Sequence, residues 1–186
     1  MEARVKIGII IGSVREGRKG SQVAQWVLEG AREHGGADVD LVDLREFDLL
    51  VLTSATVPGA ANREYDDERV TRWSAAIDGY DGFIFVTPEY NHSVPGAFKN
   101  AFDSIGPEWI GKTVGFVSYG ADGGVRAVEH WRTIVANFQM VDVRGQVALG
   151  LFTDFGDEGF TPLDRRPGEL RTLLDQLVRL TSALRG

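Results

Sequence analysis

The stretch VKIGIIIGSVREGRKGSQVAQWVLEGARE, residues 5–33, divides into three parts. Val5–Ile11 is a continuous, β-branched apolar run, the pattern of a strand buried on both faces. Ser21–Glu33 puts Val23, Ala24, Val27, Leu28 and Ala31 on one helical face, with Gln22, Gln25, Glu29 and Arg32 opposite. Between them, Gly12–Ser21 holds three glycines, three cations and two serines. Strand, glycine-rich polar turn and amphipathic helix together make the opening of a parallel β-α-β unit.

The rest of the chain repeats that alternation. Val39–Leu44, Phe83–Thr87, Thr113–Tyr119 and Gln146–Leu149 read as strands. Glu68–Asp78, Pro95–Ile105, Gly124–Phe138 and Leu163–Leu184 read as helices, the second with proline in its first turn. Thr53–Asp67 is long for a connection in a compact domain, which marks it as functional or interface-forming. The order βαβαβαβαβα predicts an α/β fold: a doubly wound, flavodoxin-like parallel sheet of five strands in order 2-1-3-4-5 with helices on both faces. Residues 1–186 form one domain, with 151–186 its less typical extension and closing helix. A ligand in such a sheet lies beyond the strand C-termini, where strands 1 and 3 diverge.

Composition narrows the chemistry. The 186 residues carry a formal net charge of −7, which argues against general nucleic-acid binding and makes a local cation cluster informative. With no cysteine there is no disulfide frame, thiolate nucleophile or thiolate metal site. His34, His92 and His130 are not paired at ligand spacing, so no metal is expected. The apolar start is too short for a secretory h-region and no later run approaches a membrane span, so a cytoplasmic protein is expected.

Three segments fall at the predicted sheet edge: Gly12–Ser21, Thr87–Gly96 and Ser118–Gly124. In the first, Gly12 and Gly20 would let the backbone approach a ligand, and Ser21 would cap the helix. The helix start would attract a phosphate, bound bidentately by Arg15 with added charge from Arg18 or Lys19. Neither the P-loop pattern nor the dinucleotide fingerprint is present: Arg18 stands where the P-loop has lysine. In the second, Pro88 ends a strand, and Glu89, Tyr90 and Asn91 offer amides and a ring to a flat ligand. In the third, glycines allow successive N–H groups to form an anion-favouring hollow. A solvated charged turn, ordinary tyrosine packing and a plain strand-to-helix turn are the respective structural alternatives.

GSVREGRKGSQVA, TPEYNHSVPGAFKNAFDSI (87–105) and GKTVGFVSYGADGGVRAVEHWR (111–132) resemble the NADPH-dependent FMN reductase family, over roughly residues 5–150. The resemblance implies an FMN-dependent NAD(P)H oxidoreductase. It would pass a hydride from NADPH or NADH through FMN to a quinone, free flavin, azo compound or metal oxyanion. It implies that Ser13, Arg15, Arg18, Lys19, Gly20, Ser21, Gln22 and Val23 hold the FMN phosphate. Pro88, Glu89, Tyr90 and Asn91 would line the ring and ribityl chain, and Ser118, Tyr119, Gly120 and Gly123 would close the other side. Relatives carry Ser and Asn near positions 18 and 20, where this chain has Arg18 and Gly20. Arg126 and Tyr119 are candidates for contacting a second ligand or bracing a subunit contact. The family also implies a homodimer or homotetramer, with Thr53–Tyr65 the segment best placed to cross to a partner. The rival reading is a flavodoxin-type electron carrier without NAD(P)H activity. Arg15 and Lys19 count against it, since carrier phosphate loops rely on hydroxyls.

Overall fold

The computed structural model describes residues 4–185. Its main sheet contains β1 (Lys6–Ile11), β2 (Asp38–Asp43), β3 (Gly82–Pro88), β4 (Thr113–Gly120) and β5 (Val141–Gly150), parallel throughout, in the order β2-β1-β3-β4-β5. The predicted flavodoxin-like architecture is therefore the observed one. Every residue of β3 and β4 is buried, as central strands covered on both faces must be.

Helices α1 (Gly20–His34) and α5 (Arg166–Arg185) cover one face; α2 (Glu68–Asp78), α3 (Gly96–Asp103) and α4 (Val125–Ala136) cover the other. The first core is aliphatic, built on Ile7, Ile9, Val27, Leu173 and Leu177. The second is aromatic. Trp73, Trp109 and Trp131 are fully buried there with Phe83, Phe85, Phe98, Phe102 and Phe116. Among the described residues no helix is long and apolar enough to cross a membrane.

Residues 48–67 hold only a short 3-10 turn, Pro58–Ala60, yet they are firmly attached. The Asn100 side chain donates to Leu50 O and accepts from Leu52 N, both at 2.9 Å. Tyr65 Oη donates to the fully buried Glu108 carboxylate at 2.8 Å, which Ser74 Oγ and Gly106 N also reach. Burial, followed by that carboxylate, pushes the Tyr65 phenol up.

Several local expectations are corrected. The last strand begins at Val141 rather than Gln146. It is a sheet edge, so exposed or half-exposed Asp142, Arg144 and Gly145 are tolerated, and the ladder shifts register between Val114 and Phe116. The helix before it stops at Ala136. Pro95 is the cap of α3 rather than part of its first turn. Between β5 and α5 lies an antiparallel hairpin, β6 (Phe155–Gly156) and β7 (Gly159–Phe160), which the helical and strand periodicities do not predict.

Candidate functional site

A cleft of about 250 Å³ opens at the C-terminal edge of β1, β3 and β4, where the doubly wound topology places a ligand. The Ser13–Lys19 loop forms one wall, Pro88–Tyr90 a second, and Tyr119, Gly120 and Leu151 a third. A wider depression of about 740 Å³ lies between α4, β5 and α5, but Arg132 and Asp142 there neutralise each other. In the cleft, by contrast, Arg15 and Lys19 form no ion pair among the described residues.

The cations of the first loop divide into two kinds. Arg18 forks onto Asp43 at the end of β2, and also donates to Ser13 O at 2.7 Å and to Ser21 Oγ at 3.0 Å. These contacts let Arg18 shape the loop, and it also lines the cleft. Arg15 and Lys19 form no ion pair among the described residues and rest on rings: Arg15 lies 5.7 Å from the Tyr90 centroid, Lys19 5.0 Å from that of Phe155. The first-turn N–H groups of Gly20, Ser21 and Gln22 donate to no group among the described residues. Two cations without an ion-pair partner among the described residues, beside an open helix start, favour an anion.

The expectation that Ser21 caps this helix is corrected. The helix cap is Lys19, with no side-chain bond; Ser21 lies inside the first turn and is engaged by Arg18. A Cβ on Gly12 would fall 2.1 Å from the Phe98 ring, so the core demands that glycine. On Gly20 it would fall 2.7 Å from Tyr119 Oη, so the glycine makes room for a tyrosine. Val23 is completely buried in the core and presents no side chain to the cleft. Gln22 accepts from Phe160 N at 3.2 Å and holds the hairpin.

The second wall is a tight hairpin turn. Tyr90 and Ser93 exchange N–H···O bonds of 3.0 Å across Asn91 (φ 49°) and His92 (φ 68°), a conformation that asparagine tolerates better than most residues. Tyr90 Oη and Ser13 Oγ are 2.8 Å apart, so the ring spans the cleft; a bound anion would take over Ser13 and Arg15 from it. Glu89 faces away. Its carboxylate accepts Arg126 N at 3.1 Å and Nε at 2.6 Å, while Arg126 also reaches Asp122 at 2.9 Å. Arg126 is thus a brace between α4 and the second wall.

In the third wall Ser118 is fully buried and donates to Gly123 O at 2.7 Å, fixing the turn rather than facing the cleft. Gly123 (φ 74°) and Gly124 (φ 73°) both need the left-handed backbone that starts α4. Tyr119 is buried beside Ser13 and Tyr90. Burial, then Tyr90, pushes its phenol up, so it remains a neutral hydroxyl at ordinary pH. Leu151, in the half-buried turn after β5, also lines the cleft; its N–H reaches Gly120 O at 2.9 Å. Among the described residues no group of three His, Cys, Asp or Glu could hold a metal ion.

The arrangement suits a ligand that carries a phosphate at one end and a flat, hydrogen-bonding ring at the other. Comparison with known proteins gives a consistent picture. Residues 5–154 match the family model for NADPH-dependent FMN reductase. An NAD(P)H-dependent FMN reductase of a Nectria species is 41% identical over 126 residues, 66% of this chain and 63% of that protein; the chain thus spans less than two thirds of it. An FMN-dependent NADPH-azoreductase of Staphylococcus haemolyticus is 30% identical over 91% of this chain and 92% of its own. The solved structure of an NAD(P)H:acceptor flavoenzyme from Paracoccus denitrificans superposes with TM-score 0.76 at 18% identity, over 96% of this chain and 98% of that one, a likeness of fold.

Proposed function

Since the chain belongs to the NADPH-dependent FMN reductase family, we propose that it is an FMN-dependent NAD(P)H oxidoreductase whose cofactor lies in this cleft. The observation that carries the reading is the unpaired Arg15 and Lys19 beside the open first turn of α1, facing a polar and aromatic wall at the sheet's switch point. These residues fit FMN. Arg15, Lys19, Ser13 Oγ and the N–H groups of Gly20–Gln22 would hold its phosphate. Pro88–Tyr90, Tyr119, Gly120 and Leu151 would border its ring. When bound, FMN supplies the chemistry, accepting a hydride from a nicotinamide and delivering electrons to an acceptor.

The protein's part is placement. Arg18, held by Asp43, stiffens the loop that carries Arg15 and Lys19. Glu89 is bonded to Arg126, and burial favours the neutral Tyr119 phenol, so neither is assigned a proton-transfer role in this reading. The Tyr119 hydroxyl is instead a fixed polar wall. The acceptor class follows from chemistry that needs no dedicated acid: quinones, azo compounds, free flavin or metal oxyanions. The azoreductase relative supports the second of these.

The decisive experiment is a visible absorption spectrum taken before and after anaerobic NADH or NADPH. Flavin bands that bleach support the reading. Bands that persist with both nucleotides leave an electron carrier, and a protein that takes up no FMN ends the proposal. Arg15→Ala is expected to raise the FMN dissociation constant roughly ten- to a hundredfold, as for the loss of a charge-assisted bond. Unchanged affinity in a fluorescence titration means that the phosphate lies elsewhere. The reading extends to a homo-oligomer, with exposed Val51 and Val57 at the contact. Sedimentation at a monomer's mass sinks that part.

A further inference from the structure

The β6–β7 hairpin lies almost wholly beyond the family match, which ends at residue 154, yet it packs on the phosphate end of the cleft. Phe155 pairs with Phe160 across the hairpin, ring centroids 5.2 Å apart. Phe160 meets Trp26 of α1 edge-on at 5.5 Å, and its N–H donates to Gln22 in the first turn of α1. The hairpin is therefore moored to the helix that offers its open N-terminus. Phe155 then faces two cleft residues: Tyr119, with ring centroids 6.3 Å apart, and Lys19, whose ammonium lies 5.0 Å from the ring centroid.

Lys19 has no carboxylate partner among the described residues and is solvent-exposed, so a long lysine stem there would sample many rotamers. The Phe155 face gives it one preferred place, at the residue that caps α1. A cation–π contact suits the purpose. It holds the ammonium without neutralising it, where a carboxylate would cancel the charge that a phosphate needs.

We infer that Phe155 is a positioning residue for phosphate recognition: the hairpin holds Lys19 over the α1 start and thereby sets the preference for FMN over its dephosphorylated form, riboflavin. This rests on the FMN reading above. The test is a fluorescence titration of flavin-free protein with FMN and with riboflavin. Phe155→Leu keeps an apolar side chain but removes the ring. It should weaken FMN by about 3–5-fold, the scale of an exposed cation–π contact, and leave riboflavin within about twofold. Phe155→Tyr should restore wild-type FMN affinity. In a Lys19→Met background, Phe155→Leu should change nothing further.

Riboflavin affinity and the thermal melt of each variant serve as the controls for general damage, and Phe160→Leu, which loosens the hairpin's mooring, should weaken FMN in the same direction as Phe155→Leu. An FMN affinity in Phe155→Leu equal to wild type overturns the inference. So does an equal loss of riboflavin, or a loss that persists without Lys19. Wild-type protein that binds neither flavin instead overturns the function itself, and this inference with it.

Discussion

Asp154→Ala is expected to lower the free energy of unfolding by about 3–5 kcal/mol, the cost of leaving a buried charge without its partner. Asp154 is fully buried, and Arg166, only slightly exposed, donates to it through Nε and Nη2, both at 2.9 Å. Gly150 N, Leu163 N and Thr153 Oγ1 complete its shell at 2.9–3.1 Å. One carboxylate thus closes the whole excursion from β5 to α5. Burial pushes the Asp154 carboxyl up, but Arg166 and the N–H groups of Leu163 and Gly150 outweigh it and hold the group at about 2, against an ordinary 3.8. A depressed carboxylate contributes its stabilisation above its unfolded value and loses it as pH falls through the folded one. Between pH 4 and 2 the unfolded chain binds the extra proton, so stability drops on acidification, with about 2 kcal/mol at stake. Asp154→Asn, which keeps the shape but not the charge, should lose stability at pH 7 and show a flatter acid limb. Urea titrations at pH 7, 4 and 2 measure both effects. A variant whose acid limb matches the wild type would show that this ion pair does not govern it.

That loop also shows what the sequence does and does not disclose. The sheet was legible because β1, β3 and β4 are central: burial on both faces leaves unbroken apolar runs such as Phe83–Val86. The first half of β5 was not, because an edge strand needs no such run and Asp142, Arg144 and Gly145 look like a turn. The three cleft segments were legible because topology brings strand ends together whatever the side chains do. The division of labour within them was not. Arg15, Arg18 and Lys19 are all cations in the sequence; what ties Arg18 alone into an ion pair is Asp43, 25 residues away in the chain. Gly12 and Gly20 signal close approach correctly, but the approaching groups are Phe98 and Tyr119, both distant in sequence. Asp154 and Arg166 lie across a hairpin that carries only two residues per strand, too short for any period to register.

Trp131→Ala should cost a further about 3–5 kcal/mol by a different route, a cavity in the aromatic core. The Trp131 ring is fully buried, with its centroid 4.7 Å from Phe98, 5.2 Å from Phe85 and 5.6 Å from Phe102. Its Nε1 donates to Thr87 Oγ1 at 3.1 Å, and that hydroxyl donates in turn to Pro88 O at 3.0 Å. The core is therefore connected by hydrogen bonds to the point where β3 ends and the second cleft wall begins. Trp131→Phe separates the two roles. It keeps most of the packing and removes the Nε1 donor, so it should cost about 1–2 kcal/mol. Because Pro88, which Thr87 bonds, would border the ring of FMN in the proposed site rather than its phosphate, Trp131→Phe should weaken riboflavin and FMN alike. Arg15→Ala should weaken FMN alone. Thermal melts and paired flavin titrations of the two variants test this directly. A Trp131→Ala protein that melts with the wild type would contradict the packing argument. A Trp131→Phe protein that discriminates between the two flavins would contradict the proposed position of Pro88 at the ring, since a wall shared by both ligands cannot sense the phosphate that only one carries.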